Sequence, residues 1–370
     1  MRKDKCKCSG CRACENICPQ KCIKIDSSNR KKFVRCKTSK CIECGLCDLV
    51  CPHNEPQFLL QPVLGMNAWS LNRRIQRNSS SGGIASTIYD WCLQNNIRCI
   101  GVNFDVGYNL KYKFITSQNE LNKAVGSKYV YSDMNNIYHQ IVQTLKSGEK
   151  IVFIGLPCHV SALKKYCNIK KVVLSNLYCV DIVCHGVMMP YFWNEHVMYL
   201  ENKCNMNTGT NILFRKKQNQ YGISIMDTDN IQRDISVNDD AYMSMYIRGI
   251  YTEACYQCPY AQKNRVGDLT IMDCSTPYNK RARASQYNQS SVLLNSHKGI
   301  DIWNQIKDEL DYYSYSINEI VNEDNMFKCP TKRPKEYRII MVLEKVIGYR
   351  TTTKLAWGCS NIYRKYIRGI

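Results

Sequence analysis

The stretches Cys8-Ser9-Gly10-Cys11-Arg12-Ala13-Cys14-Glu15-Asn16-Ile17-Cys18-Pro19 and Cys41-Ile42-Glu43-Cys44-Gly45-Leu46-Cys47-Asp48-Leu49-Val50-Cys51-Pro52 repeat one pattern, C-x-x-C-x-x-C-x-x-x-C-P. The spacing is that of a ligand run for paired 4Fe-4S clusters. Three thiolates spaced by two residues wrap one face of a cubane, while the fourth, braced by its proline, turns toward the neighbouring cluster. The expected sets are therefore Cys8, Cys11, Cys14 and Cys51 around one centre, and Cys41, Cys44, Cys47 and Cys18 around the other. A single cluster would need no second copy. Zinc ligation and a disulfide framework are the competing accounts of so many thiols, and the duplicated spacing disfavours both.

Composition points the same way. The 370 residues include 23 cysteines, and the opening Met-Arg-Lys-Asp-Lys-Cys-Lys-Cys lacks the apolar segment of an export signal. Ligation of metal by reduced thiols is the expectation, not secreted disulfides. No stretch approaches the roughly 18 apolar residues that cross a bilayer, so a cytoplasmic protein with no transmembrane segment is expected. Clusters so near a surface also suggest an anaerobic owner. The net charge of +20 would suit nucleic acid, a membrane or an acidic protein. Basic residues are dense before residue 40, including Arg30-Lys31-Lys32, yet recur throughout without an arginine stripe, so no nucleic-acid partner is expected. A solvated basic face is the simplest reading, and a docking surface for an acidic redox protein, such as a ferredoxin or another subunit, is the sharper one. The sequence gives no oligomeric state.

The fold class expected is α+β. Residues 1–58 resemble a bacterial-type two-cluster ferredoxin, too short to bury much core without the folding energy of its clusters. Asn54-Glu55-Pro56 through Pro62 reads as a linker. Residues 62–285 should form an α/β domain with a mixed sheet, because helical periodicity at Ile84–Gln94, Ile137–Lys146 and Val160–Tyr166 alternates with apolar strands at Cys99–Phe104, Lys150–Gly155 and Leu177–Val183. Residues 286–370 read as a helical C-terminal extension, ending in the basic stretch 363–368.

A second group of cysteines occupies strand ends and turns: Cys158 after Gly155-Leu156-Pro157, Cys184 before His185-Gly186, and Cys255-x-x-Cys258-Pro259. The crevice beyond the strand ends of an α/β sheet is where sites assemble. Spacing alone leaves zinc, a redox disulfide and an iron–sulfur cluster open. The ordered phrases Ser80-Ser81-Gly82-Gly83, Gly126-Ser127-Lys128-Tyr129-Val130, Gly155-Leu156-Pro157-Cys158, Asp181-Ile182-Val183-Cys184-His185-Gly186 and Cys255-Tyr256-Gln257-Cys258 resemble the coenzyme F420 hydrogenase/dehydrogenase beta-subunit family. That resemblance spans nearly the whole chain. It implies a third 4Fe-4S cluster held by Cys158, Cys184, Cys255 and Cys258, a bound FAD, and an organic small-molecule acceptor such as a deazaflavin. The chain departs from the family pattern at His159, where glutamine is frequent, and at Met272-Asp273-Cys274-Ser275, where an aromatic run is common. The second departure leaves room for an acceptor other than the deazaflavin.

A Ser81-Gly82-Gly83 turn opening a helix offers backbone donors and a positive dipole end to a pyrophosphate, with Lys128 as a residue facing the cofactor. An ordinary helix cap and a solvated lysine are the competing readings of these residues. His185 and Lys128 are the catalytic candidates, and His53 and His159 are further histidines that could shuttle protons. Cys6, Cys22, Cys36, Cys92, Cys99, Cys167, Cys179, Cys204, Cys274, Cys329 and Cys359 fall outside the ligand spacings and read as small buried hydrophobes. The 25 tyrosines suggest compositional bias only. The expected function is an iron–sulfur flavoprotein oxidoreductase; the alternative is a non-catalytic ferredoxin-type electron-transfer subunit of a larger redox complex.

Overall fold

The computed structural model describes residues 8–105, 108–204, 211–215, 221–226, 232–274 and 288–367. In chain order the elements are α1 (Ala13–Ile17), β1 (Ile23–Asp26), β2 (Val34–Lys37), α2 (Leu46–Leu49), β3 (Leu64–Ser70), α3 (Arg73–Asn78), α4 (Ile84–Gln94), β4 (Arg98–Phe104), β5 (Leu110–Ile115), α5 (Gln118–Ala124), β6 (Ser132–Asp133), α6 (Ile137–Lys146), β7 (Ile151–Gly155), α7 (Pro157–Ile169), β8 (Leu177–Ile182) and α8 (Pro190–Cys204). They continue with β9 (Asn211–Arg215), β10 (Tyr221–Met226), β11 (Gln232–Ser236), α9 (Ala241–Ile247), β12 (Leu269–Asp273), β13 (Ser290–Leu294), α10 (His297–Ile306), β14 (Leu310–Ser314), α11 (Ile317–Glu323) and α12 (Tyr337–Ile367), the last broken at Gly348.

The two cysteine runs share a backbone device. Gly10 and Arg12 in the first, and Glu43 and Gly45 in the second, occupy the same two positions and all have positive φ, between 54° and 75°. Left-handed residues between the thiols curl the chain so that successive sulfurs can face one side, and the cost of φ > 0 at non-glycine Arg12 and Glu43 marks it as an imposed conformation. Short helices α1 and α2 follow each curl. The antiparallel pair β1–β2, in register from Ile23↔Lys37 to Asp26↔Val34, closes the module and buries Ile23 and Ile25 beneath it.

The main sheet has nine strands in the order β14-β3-β13-β12-β8-β7-β4-β5-β6. Its four central strands, β12, β8, β7 and β4, run parallel, and antiparallel partners flank them. Helices α4 and α10 cover one face through Ile84, Ile88, Ile302 and Trp303. On the other, α6 and α7 pack with Ile141, Val160, Leu163 and Tyr166, and Ala13 and Ile17 of α1 join that same core. A second body, made of α8, α9, the start of α12 and the three-stranded sheet β11-β10-β9, centres on Trp193, Phe214 and Tyr242. The mixed sheet and the helix–strand alternation follow the sequence expectation closely: α6 has the expected bounds, and α4 does as well.

The helical extension begins later than residue 286. Ser290–Leu294 is a fully buried strand inside the main sheet, between β12 and β3, and Leu310–Ser314 forms its edge. A five-residue strand buried on both faces, two serines followed by three apolar residues, has no alternation by which periodicity could reveal it. The thiols of Cys6, Cys36, Cys204 and Cys359, and the side chains of 363–368, lie outside the described residues.

The N-terminal module is fastened to the sheet domain by hydrogen bonds to its own backbone. Tyr131 donates to Gly10 O at 2.5 Å, Tyr138 to Cys11 O at 2.8 Å, Tyr260 to Pro52 O at 2.5 Å and Lys165 to Cys51 O at 2.9 Å. On the far side, Arg30 pairs with the buried carboxylate of Glu344 and lies 4.4 Å from the centre of the Tyr191 ring. Arg30→Met should strand that carboxylate. A cost of roughly 2–3 kcal/mol is expected, below the 3–5 of fully buried pairs because Arg30 is partly exposed, and a lowered urea midpoint with an unchanged slope would measure it.

Candidate functional site

The first run and the last thiol of the second come together. Cys8, Cys11, Cys14 and Cys51 line one cavity of roughly 320 Å³ with Arg12, Arg35, Cys47 and His53. Gly10 N–H points at Cys8 Sγ, 3.4 Å away, a donor of the kind that stabilises sulfur carrying negative charge. Cys18, Cys41 and Cys47 gather on the outer side of the module around buried Cys22, whose Sγ is 3.5 Å from that of Cys18; Cys44 faces solvent. Cys22 thus belongs to this thiol group, four residues past a ligand candidate, although its spacing fits no ligand pattern.

Cys158, Cys184, Cys255 and Cys258 line a second, larger cavity of roughly 620 Å³. Cys158 sits in the first turn of α7, which β7 aims outward and Pro157 starts; Cys184 follows the end of β8; Cys255 opens a single 3-10 turn ending at Cys258. All four therefore reach the crevice beyond the carboxyl ends of the parallel strands. Val187 N–H points at Cys255 Sγ from 3.4 Å, and Thr252 Oγ1 lies 3.5 Å from it. Ser9 and His53 line both cavities, so the inner N-terminal site and this one share a stretch of wall.

Burial sets the protonation of these thiols. Desolvation pushes Cys11 up to about 12 and Cys258 up to about 11, and drives Cys14, Cys158 and Cys184 upward as well, with neighbouring thiols adding to the effect. Crowded sulfurs in a water-poor wall lose their protons only to a positively charged group placed among them. Among the described residues, no three His, Cys, Asp or Glu side chains close on a single metal ion. The sulfurs line the walls of open volumes, an arrangement suited to a group larger than one ion.

The Ser81-Gly82-Gly83 turn has duties inside the fold. Ser81 Oγ donates to Gln289 O at 2.7 Å, and Gly82 N–H donates to Ser290 Oγ at 3.0 Å. A Cβ on Gly82 would stand 2.3 Å from Ala68 O, and Gly83, at φ +84°, caps α4 against Ile75. The glycines thus permit close approach to β3 and β13. Lys128 donates through Nζ to Ala124 O, Val125 O and Gly126 O at 2.8, 3.1 and 3.3 Å, closing the C-terminal end of α5. Its ammonium is occupied by these helix-end carbonyls, and burial pulls its amine down to about 7.

Buried Arg215 gathers the loops nearby, donating to Tyr129 Oη at 3.1 Å, Asp273 Oδ2 at 2.6 Å and Ser80 O at 2.5 Å. Tyr221 lies under its guanidinium. His185 lines the large cavity and pairs through Nε2 with Asp324 at 2.8 Å; its pKa is raised by that carboxylate against the opposing effect of burial. His159 is buried against Tyr112, Nδ1 to Oη 3.0 Å, where desolvation holds it neutral, down to about 3.

Three family profiles match the chain in succession: a 4Fe-4S dicluster domain over residues 7–54, and the N-terminal and C-terminal parts of the coenzyme F420 hydrogenase/dehydrogenase beta subunit over residues 66–138 and 148–319. The chain belongs to the coenzyme F420 hydrogenase/dehydrogenase beta-subunit family. No curated protein matches it. Thirteen chains of known structure do. One comes from the F420-reducing [NiFe] hydrogenase complex of Methanosarcina barkeri, studied by xenon derivatization; it is 17% identical, with a TM-score of 0.48 over 80% of this chain and 93% of that one.

In this beta-subunit family member, the large cavity draws its four cysteines from the C-terminal match, while Ser81–Gly83 and Lys128 lie in the N-terminal match. Asp273, which stands where an aromatic run is common in the family, is the carboxylate partner of Arg215. Cys274 is a buried thiol outside both cavities. Sequence reading missed Tyr131, Tyr138, Tyr260, Lys165 and Arg215, because each acts on residues far away along the chain. Gly82→Ala should drive β3 and α4 apart and destabilise the cofactor-free protein by more than the ~0.5–1 kcal/mol that a helix-type glycine exchange involves. Equal thermal stability of the two apoproteins would return Gly82 to a purely ligand-binding role.

Proposed function

We propose that this chain is an iron–sulfur flavoprotein oxidoreductase in which 4Fe-4S clusters are held by three sets of cysteines: Cys18, Cys41, Cys44 and Cys47; Cys8, Cys11, Cys14 and Cys51; and Cys158, Cys184, Cys255 and Cys258. When bound, the clusters supply one-electron steps and FAD joins them to the two-electron chemistry of an organic small-molecule acceptor such as a deazaflavin. The observation that carries this reading is the common wall of Ser9 and His53 between two thiol-lined cavities.

The protein's own contribution is placement. Tyr131, Tyr138 and Tyr260 hold the carbonyls of the inner ligand loops, so the sulfurs of Cys11 and Cys51 keep their separation from Cys158. The buried pair Arg265–Asp181, 3.1 Å apart, sets a positive group beside Cys184 and Cys258. His185, which lines the large cavity and is held by Asp324, would serve as the general acid for an acceptor reduced by two electrons. A redox protein or a further subunit is the partner expected at the outer module. A second reading, a non-catalytic electron-transfer subunit without flavin, is favoured by the internal duties of Gly82, Gly83 and Lys128.

Anaerobic reconstitution followed by iron, sulfide and flavin quantitation on one sample separates these readings. Three cubanes correspond to about twelve irons per chain, and one FAD accompanies them if the chain is catalytic. Cys158→Ala should lose about four irons and all turnover while the N-terminal paramagnetic signals persist. About eight irons in the unaltered chain would remove the third cluster, and iron without flavin would favour the subunit reading.

A further inference from the structure

Three cations surround the inner N-terminal site, and two of them are already neutralised. Arg12 bridges Glu15 and Asp133, each at 2.8 Å, and Arg35 pairs with Asp48 at 2.9 Å. Lys165 differs. It is only 3% exposed, it projects from α7 toward the ligand loop, and its Nζ donates to the carbonyl of Cys51 at 2.9 Å. Among the described residues no carboxylate stands within ion-pair distance of it, and the acidic side chain acting on it, Glu55, does so only at longer range. A buried ammonium without a counter-ion is costly. The fold nonetheless brings it to the one peptide carbonyl that belongs to the crossing ligand of the inner site, which points to an anionic group bound through Cys51.

The outer site has a different surrounding. Cys44 faces solvent, and Ile42 and Leu49 beside it are 59% and 64% exposed. Water there screens charge, and the guanidinium that reaches this group, Arg35, donating to Cys47 O at 3.5 Å, is already paired with Asp48. A cation in a low-dielectric wall favours the more negative redox state of its neighbour, and burial magnifies the effect.

We propose that the Lys165 ammonium is the counter-charge of the inner cluster and makes it the more easily reduced of the two N-terminal clusters, polarising the pair toward the cavity of Cys158, Cys184, Cys255 and Cys258. This rests on the cluster assignment given above. Lys165 is a positioning residue for charge: it touches a ligand's backbone, not the reacting atoms. One electron leaving the outer cluster reduces the inner one, with no proton or bond exchanged.

The test is a redox-poised electron paramagnetic titration of the full chain, reconstituted anaerobically, with iron counted first. Chains that load no iron, or load zinc, overturn the cluster assignment before any potential is read. In loaded wild type, the outer signal is the one perturbed by Cys44→Ser and the third is the one lost in Cys158→Ala; the remaining, inner signal is expected to appear before the outer one on reduction. Lys165→Gln keeps a donor to the Cys51 carbonyl and removes the charge; it should shift the inner reduction equilibrium about tenfold toward the oxidised state, about 59 mV for one electron, leaving the outer couple in place. Lys165→Arg, which stays charged, should restore it. An inner cluster that reduces last in the wild type, a Lys165→Gln chain whose inner couple does not move, or an equal movement of both couples would each overturn the proposal. If Lys165→Gln fails to load, the wild-type order alone decides.

Discussion

The arrangement depends on peptide carbonyls of the cysteine loops being held by side chains of the sheet domain. Clusters are anchored by only a few covalent bonds per loop, and the loops themselves have little apolar surface with which to dock. Tyr131, Tyr138, Tyr260 and Lys165 solve this by spending their donors on Gly10, Cys11, Pro52 and Cys51. The three tyrosine bonds satisfy carbonyls that would otherwise lose their hydrogen-bond partner, a loss of about 1–3 kcal/mol per buried group; Cys51 O also accepts from Asn54 N–H. The bonds are also directional, so they fix where the sulfurs stand. Apolar packing of Ala13 and Ile17 against α6 and α7 adds stability but would tolerate sliding; the hydroxyl bonds would not.

Placement at the strand ends follows from the sheet. Strands β7 and β8 are adjacent and parallel, so the residues after them emerge side by side, and Cys158 and Cys184 need no long loop to meet. The pair Cys255 and Cys258 arrives from the loop before β12, next in the sheet to β8. That loop is pinned by the ladder contact Leu60↔Arg265 and by the Arg265–Asp181 pair. The linker after the N-terminal module therefore does more than connect. Its Leu60 fixes the chain that carries the last two thiols of the large cavity.

How much of this could be read from residues depends on the range of the interactions involved. The eight N-terminal thiols stood out because ligand spacing is a local property, and the inner grouping of Cys8, Cys11, Cys14 and Cys51 is the one that spacing suggests. The helices α4 and α6 were legible from periodicity. The tyrosines were not: Tyr131 and Gly10 are 121 residues apart, Tyr138 and Cys11 127, Tyr260 and Pro52 208, and nothing in the local sequence marks a hydroxyl that reaches so far. Gly82 misleads for another reason. Close approach of a backbone to a phosphate and close approach to a neighbouring strand require the same missing Cβ, and only the position of Ala68 O separates them. Lys128 is similar, since an ammonium suits both an anion and the carbonyl end of a helix.

The cluster around Arg215 carries the same lesson in electrostatic form. Arg215 is buried with its donors divided among Asp273, Tyr129 and Ser80. It comes from the three-stranded sheet, Tyr129 from the loop after α5, and Ser80 from the turn before α4, so one guanidinium joins three segments at the mouth of the strand ends. Asp273 at this point gives the buried guanidinium its one carboxylate partner among the described residues, so the junction is held by a charge-matched polar contact.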